Sequence, residues 1–189
     1  MIKKIYTYKL SFWIILLFLV VLSSKNATAQ KYSEYDVKAA YVYNFAKFIK
    51  WPQNYFDKKD VLVIGVYKNQ NFGEVLERVL ENKKIKNKFW EIIFINTIDE
   101  IEECDILFVS NCSGEESLKV LKKVNKKNVL TIGNNIPKFC QYGGIINFTP
   151  KGSRKRFEIN NNAAIKHKIN ISSKLLTLAR IITKDEIEF

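Results

Sequence analysis

Val61-Leu62-Val63-Ile64-Gly65-Val66 decides the fold. Six apolar residues in a row, four of them β-branched, read as a strand buried on both faces. Such strands belong to parallel sheets covered by helices. Downstream, Asn71-Phe72-Gly73 reads as a turn into a helix over residues 74–81. Residues 90–95 read as a second strand, 105–109 as a third, 115–124 as a helix and 129–132 as a fourth strand. This alternation predicts an α/β fold, a mostly parallel sheet with helices on both faces. The pattern then changes. Residues 144–149 and 156–160 flank Pro150-Lys151-Gly152-Ser153-Arg154-Lys155 and read as a β-hairpin. A helix over 161–167 follows. Ser172 or Ser173 caps a last helix over 174–183, with Leu175, Leu178, Ala179 and Ile182 on one face. Upstream, residues 36–50 lack Gly and Pro, with Ser33 and Asp36 spaced as a capping box and Pro52 as the stop. The apolar arc of this helix exceeds the ~100° stripe of a surface helix. It is therefore buried on two sides or offered to a partner.

The N-terminus carries Lys3, Lys4 and Lys9, then an apolar run from Phe12 to Leu22, then Ala27-Thr28-Ala29. A basic start, a short apolar segment and a small-residue triplet make a cleavable secretory signal over residues 1–29. The run is shorter than the roughly 20 residues of a spanning helix. The expected mature chain is one domain over 30–189, working outside the cytoplasm. Its loss of four lysines lowers the formal charge from +12 to +8.

The remaining positive charge is scattered. Lys83, Lys84, Lys86 and Lys88 form one cluster, Lys122, Lys123, Lys126 and Lys127 a second, and Lys151, Arg154, Lys155 and Arg156 a third. A nucleic-acid footprint is a stripe with interleaved aromatics, so these read as solvated faces and nucleic acid is not an expected partner.

Catalytic patterns are missing from the sequence. There is neither a dinucleotide fingerprint nor a P-loop. His167 is the only histidine and lies in a polar stretch, without the base-and-orienter setting of a triad. Glu102/Glu103 and Glu115/Glu116 are adjacent pairs whose side chains point apart. Asp105 lies at the start of its strand, away from the carboxyl edge where such sheets bind ligands. The expectation is no enzyme, no cofactor and no metal. Of the cysteines, Cys104 and Cys112 flank one strand, too far apart at about 3.3 Å per residue to bridge. Cys112 and Cys140 follow neighbouring strands on one sheet edge, which predicts a Cys112–Cys140 disulfide; three thiols or a Cys104–Cys140 bridge are the alternatives.

Tyr41, Phe45 and Phe48 share a helical face at i, i+4 and i+7 and read as core. Tyr43 falls beside Lys47 and Lys50 and reads as an exposed interface anchor. Asn44 needs hydrogen-bond partners wherever it is buried. Trp51-Pro52 reads as a pin for the helix end, with a partner role as the alternative. On the hairpin, Phe157 shares a face with Ile159, and Glu158 with Asn160; Glu158 is expected to pair with Arg180 of the last helix.

The run from Lys38 to Pro52, KAAYVYNFAKFIKWP, resembles the opening motif of the YfiR/HmsC family of exported bacterial proteins. Leu130-Thr131-Ile132-Gly133, Gly143–Phe148, Arg156–Asn160 and Ile171–Ile182 resemble its later motifs in order and spacing. The resemblance implies a periplasmic regulator, tending to dimerise, that binds and represses an inner-membrane diguanylate cyclase and so controls cyclic di-GMP and biofilm formation. Other relatives serve sensors such as histidine kinases. The rival reading is a periplasmic small-molecule binding module feeding a sensor kinase or transporter. The family is thought to tune repression through disulfides. Its members often carry a cysteine in the first sheet strand that partners the one matching Cys104; here Val63, Ile64 and Gly65 stand in that region.

Overall fold

A computed structural model describes residues 32–125 and 128–188. The expected signal segment over residues 1–29, with its expected cleavage site, and Lys126 and Lys127 lie outside these residues. Helix α1 (Glu34–Phe48) leads into the short strand β1 (Ile49–Lys50). The α/β part follows: β2 (Val61–Tyr67), α2 (Gln70–Leu80), β3 (Phe89–Ile95), β4 (Ile106–Val109), α3 (Gly114–Val124) and β5 (Leu130–Asn134). Then come β6 (Ile146–Phe148), β7 (Phe157–Ile159), α4 (Asn161–Lys166), β8 (Asn170–Ile171), α5 (Ser173–Leu178), β9 (Arg180–Ile181) and a 3-10 turn at Lys184–Glu186. No helix among the described residues is long and apolar enough to cross a membrane.

Seven strands form one sheet in the order β3-β2-β4-β5-β6-β7-β9. Strands β3 to β6 are parallel, β7 runs antiparallel to β6, and β9 runs parallel to β7. Alternation along the strands splits the core into two layers. Leu62, Ile64 and Val66 face α1 and α2, joining Ala39, Val42, Phe45, Phe72 and Leu76. Leu107 and Val109 face the other side, joining Val120, Leu121 and Val124 of α3 and Phe139 and Cys140 of the following loop. Each fully buried large side chain contributes about 2–3 kcal/mol against the unfolded chain.

Side-chain caps set the helix starts. Asn69 accepts the Phe72 amide at 3.1 Å, Ser113 that of Glu116 at 3.1 Å, Asn160 that of Ala163 at 2.9 Å and Ser172 that of Leu175 at 3.4 Å. Capping by Asn69 corrects the expected turn at residues 71–73: these residues lie inside α2. Gly73 is there because a β-carbon would stand 2.2 Å from Phe94 Cε1. The helix is pressed against β3, and glycine makes room.

The C-terminal helix is also shorter than expected. It ends at Leu178, where Ala179 turns extended (φ −90, ψ 162). Arg180 and Ile181 then pair with Glu158 and Ile159 of β7. An amphipathic pattern predicts a helix through Thr183, but a strand satisfies the backbone of β7 and places the Arg180 cation beside Glu158. Leu175, Ala179 and Ile182 are buried as expected, while Leu178 is exposed.

Candidate functional site

The end of α1 is clasped to a distant part of the chain. Ile49 and Lys50 pair antiparallel with Ile171 and Asn170, and the Ser172 amide donates to Phe48 O at 2.9 Å. This clasp fixes the next two residues, Trp51 and Pro52. Trp51 is buried. It stacks on Tyr55, with ring centroids 6.1 Å apart, and meets Phe56 edge-on at 5.5 Å. A turn closed by Tyr55 N–H to Pro52 O at 3.2 Å brings these aromatics back over it. The buried indole N–H of Trp51 has no acceptor among the described residues. A donor left so costs about 1–3 kcal/mol.

These residues floor an open cleft of about 780 Å³. Its walls carry Lys47 and Lys50 from the α1–β1 junction and Lys84, Lys86 and Lys88 from the turn before β3, against one acid, Asp57. The first basic cluster of the sequence is thus folded onto the Trp51-Pro52 motif, although more than thirty residues separate them. Beside the cleft, Tyr43 is half-buried rather than exposed: it packs edge-on against Trp90 at 6.4 Å, with Lys47 at 5.4 Å and Lys83 at 5.8 Å over its ring. Asn44 is exposed, and so is Phe48. Phe48 therefore leaves the core face expected for it, because the helix ends there and the chain turns into β1.

Tyr55 ties the cleft to the sheet. Its hydroxyl donates to Asp105 Oδ1 at 2.7 Å, while the Val63 amide donates to Oδ2 at 2.7 Å and Lys59 Nζ pairs with Oδ1 at 2.8 Å. The Asp105 side chain is fully buried. Its backbone links β2 and β5, through Asp105 N–H to Val63 O at 2.8 Å and Leu130 N–H to Asp105 O at 2.9 Å. Burial, followed by the bond to Asp105, raises the Tyr55 pKa. Sequence reading set Asp105 aside for standing at the wrong strand end for ligand chemistry, and its anchoring role has no local signature.

The other motif residues form two groups away from the cleft. Tyr41, Phe45 and Phe157 make an aromatic core with Phe148; Phe45 to Phe157 is 4.9 Å and Tyr41 to Phe157 is 5.7 Å between centroids. On the opposite hairpin face, Glu158 receives Asn147 Nδ2 at 3.2 Å and Arg180 Nη1 at 3.2 Å. Asn147 also bonds both Ile136 N–H and Ile136 O, and Arg180 reaches Glu186. The expected Glu158–Arg180 pair is present, with Arg180 on a strand rather than a helix. Asn160 donates to Cys140 O at 2.8 Å while capping α4. Asn147, the hub of this network, lies within the Gly143–Phe148 motif, but no local pattern singled it out.

The structure holds no disulfide, so the expected Cys112–Cys140 bridge is not formed. Cys140 is fully buried with its sulfur 3.8 Å from Ile145 O and Glu158 O, whereas Cys112 is half-buried near Glu116. The two follow adjacent strands, but the chain after β5 carries Cys140 into the core. Burial, and then the Glu116 charge, push the Cys112 thiol up to about 11. Thiolate is the reactive form, so Cys112 alkylates slowly at pH 7, about tenfold faster per pH unit up to that value, and ahead of Cys104 and Cys140. Mass-mapped iodoacetamide labelling across pH checks this; faster labelling of Cys140 in the folded protein contradicts it. A β-carbon at Gly65 would lie 3.6 Å from the Cys104 sulfur, within reach of a bridge from that position. Gly65→Cys is expected to form a bridge with Cys104 on mild oxidation, after Ile95 yields from its 2.8 Å contact. Thiol titration showing two fewer thiols supports this, and three or more remaining would refute it.

No curated protein matches the chain at a significant level. The YfiR/HmsC-like family profile matches residues 35–180, from the start of α1 to the strand that carries Arg180. The match takes in the β1–β8 clasp with Trp51 and Pro52, the aromatic core and the Glu158 network together, and the protein belongs to the YfiR/HmsC-like family.

Proposed function

We propose that the protein is exported to the periplasm and there acts, without catalysis, by binding an inner-membrane signalling protein and holding it inactive. That partner is a diguanylate cyclase, so the output is cyclic di-GMP and biofilm formation. Family membership supports the class of function. The observation that carries the reading to a surface is the Trp51-Pro52 cleft, whose five lysines surround an aromatic floor with a spare indole donor. Such a surface suits an acidic segment of a partner protein: aromatic anchors supply binding energy and the lysine rim supplies steering. Occupying the sensor part of the cyclase shifts its population toward the inactive state.

The small-molecule reading rests on a second cleft between α3 and α4, lined by Tyr142, Asn160 and His167 among others. At about 250 Å³ it falls below the roughly 300–1,000 Å³ of ligand pockets. Deleting the gene is expected to raise cellular cyclic di-GMP, with return to the starting level on complementation by the exported form and not by a form lacking residues 1–29. Unchanged cyclic di-GMP would remove the cyclase from this account.

A further inference from the structure

We infer that the β6–β7 loop and helix α5 form a docking face for an anionic phospholipid surface. The positive residues of this chain are scattered, but the negative ones are not. Residues 149–182 hold eight Lys or Arg and one acid, Glu158, whereas the rest of the chain from residue 30 holds nineteen against eighteen. Glu158 is buried and paired with Arg180. Nearly all the net charge after residue 29 therefore lies in one stretch, and the other two lysine clusters are balanced by acids.

The fold gathers the uncompensated part. Lys151, Arg154 and Arg156 are exposed in the loop between β6 and β7, which a bond from Thr149 N–H to Arg156 O at 3.0 Å closes. Lys155 Nζ donates to Thr177 O at 2.9 Å and so ties the loop to the last turn of α5. Glu34 of α1 feels the Lys151 charge, but it is itself paired with Lys38 at 2.5 Å. Lys174 and Leu178 stand four residues apart on the outer face of α5. Lys174 is exposed, and Leu178 is 59% exposed. Beyond Ala179, Ile181 is 40% exposed. It stands level with Ile159, whose side chain joins the same core layer as Leu175 of α5, so Ile181 opens to the α5 side of the sheet.

Two protruding aliphatic side chains beside a group of cations fit the boundary between lipid headgroups and acyl chains. Leu178 and Ile181 enter the apolar region while the long Lys and Arg side chains reach the phosphates. A protein or nucleic-acid partner is matched less well. Protein hot spots favour Trp and Tyr, and bases stack on exposed aromatic rings. The one Phe, Tyr or Trp in residues 149–182 is Phe157, which is buried. The face shares no residue with the Trp51-Pro52 cleft, and the inference does not rest on the partner given to that cleft.

The exported, processed protein is expected to sediment with vesicles of equal parts phosphatidylglycerol and phosphatidylcholine and to stay in solution with phosphatidylcholine alone. Each basic residue near an anionic surface contributes about fivefold, so reversing Lys151, Arg154 and Lys174 to glutamate is expected to weaken binding on the order of 100-fold. The variant with Lys84, Lys86 and Lys88 reversed has the same net charge. It is expected to lose less than about threefold at physiological salt, where charges distant from the lipid are screened. Leu178→Trp is expected to gain a blue shift in emission over wild type on adding the anionic vesicles and not the neutral ones. Circular dichroism checks the fold of each variant. A wild type that stays in solution with both vesicles, equal losses in the two reversed variants, or an unshifted Leu178→Trp would each overturn the inference, and each outcome is independent of partner binding at the cleft.

Discussion

Replacing Lys84, Lys86 and Lys88 by glutamate is expected to weaken partner binding on the order of 100-fold while leaving the fold intact. All three side chains line the Trp51-Pro52 cleft and come from the turn before β3, where Lys86 is exposed and Lys88 half-buried. A single exposed ion pair is worth only about 0–1 kcal/mol. Reversing three charges both removes attraction and adds repulsion, and a total of about 3 kcal/mol corresponds to that fold-change. The effect belongs mainly to association and shrinks at high salt. Lys84 also lies over the Phe89 ring at 3.9 Å, so Lys84→Gln with the other two reversed separates that packing from charge. Titration against the purified periplasmic part of the partner, at two salt concentrations, reads the outcome. A change below threefold would remove the lysine rim from the binding surface.

The second large effect lies beneath the cleft. Asp105→Ala is expected to cost about 3–5 kcal/mol, the range for breaking a buried pair by removing one partner. The Val63 amide, the Tyr55 hydroxyl and Lys59 all converge on this fully buried carboxylate. Lys59 is 31% exposed and recovers water, but the Val63 amide has no such route. Since domains are stable by about 5–15 kcal/mol, the variant is expected to unfold at a much lower urea midpoint with an unchanged slope. Asp105→Asn keeps an acceptor for one donor and is expected to lose less. Loss of under 1 kcal/mol in the alanine variant would contradict the role given to Asp105.

The parallel sheet was readable because its strands are continuous apolar runs, and β2 to β5 stand within two residues of where periodicity puts them. Helix α1 was readable from its unbroken pattern and Pro52. The ends of elements were harder. The pattern over residues 174–183 is amphipathic as a helix, yet Arg180 is claimed by Glu158 of β7, and a long-range ion pair has no trace in local propensity. Phe48 follows helical spacing into the core on paper, but its helix stops there. The cleft was half legible. Trp51, Pro52 and the lysines at 83–88 each stood out, and nothing in the sequence joined them. Their meeting depends on the β1–β8 clasp, two residues on each side, far below what strand periodicity can reveal. Asp105 and Asn147 were missed for a common reason: a single buried polar residue among apolar neighbours reads like a surface residue until the fold supplies its donors.

The most direct test of the central claim is co-purification from detergent-solubilised membranes with the mature protein tagged at its C-terminus. The wild type should run beside the variant with Lys84, Lys86 and Lys88 replaced by glutamate. The account predicts that the wild type retains an integral membrane protein with a cytoplasmic diguanylate cyclase domain and that the variant does not. Retention of no such protein, or equal retention by both forms, would contradict it.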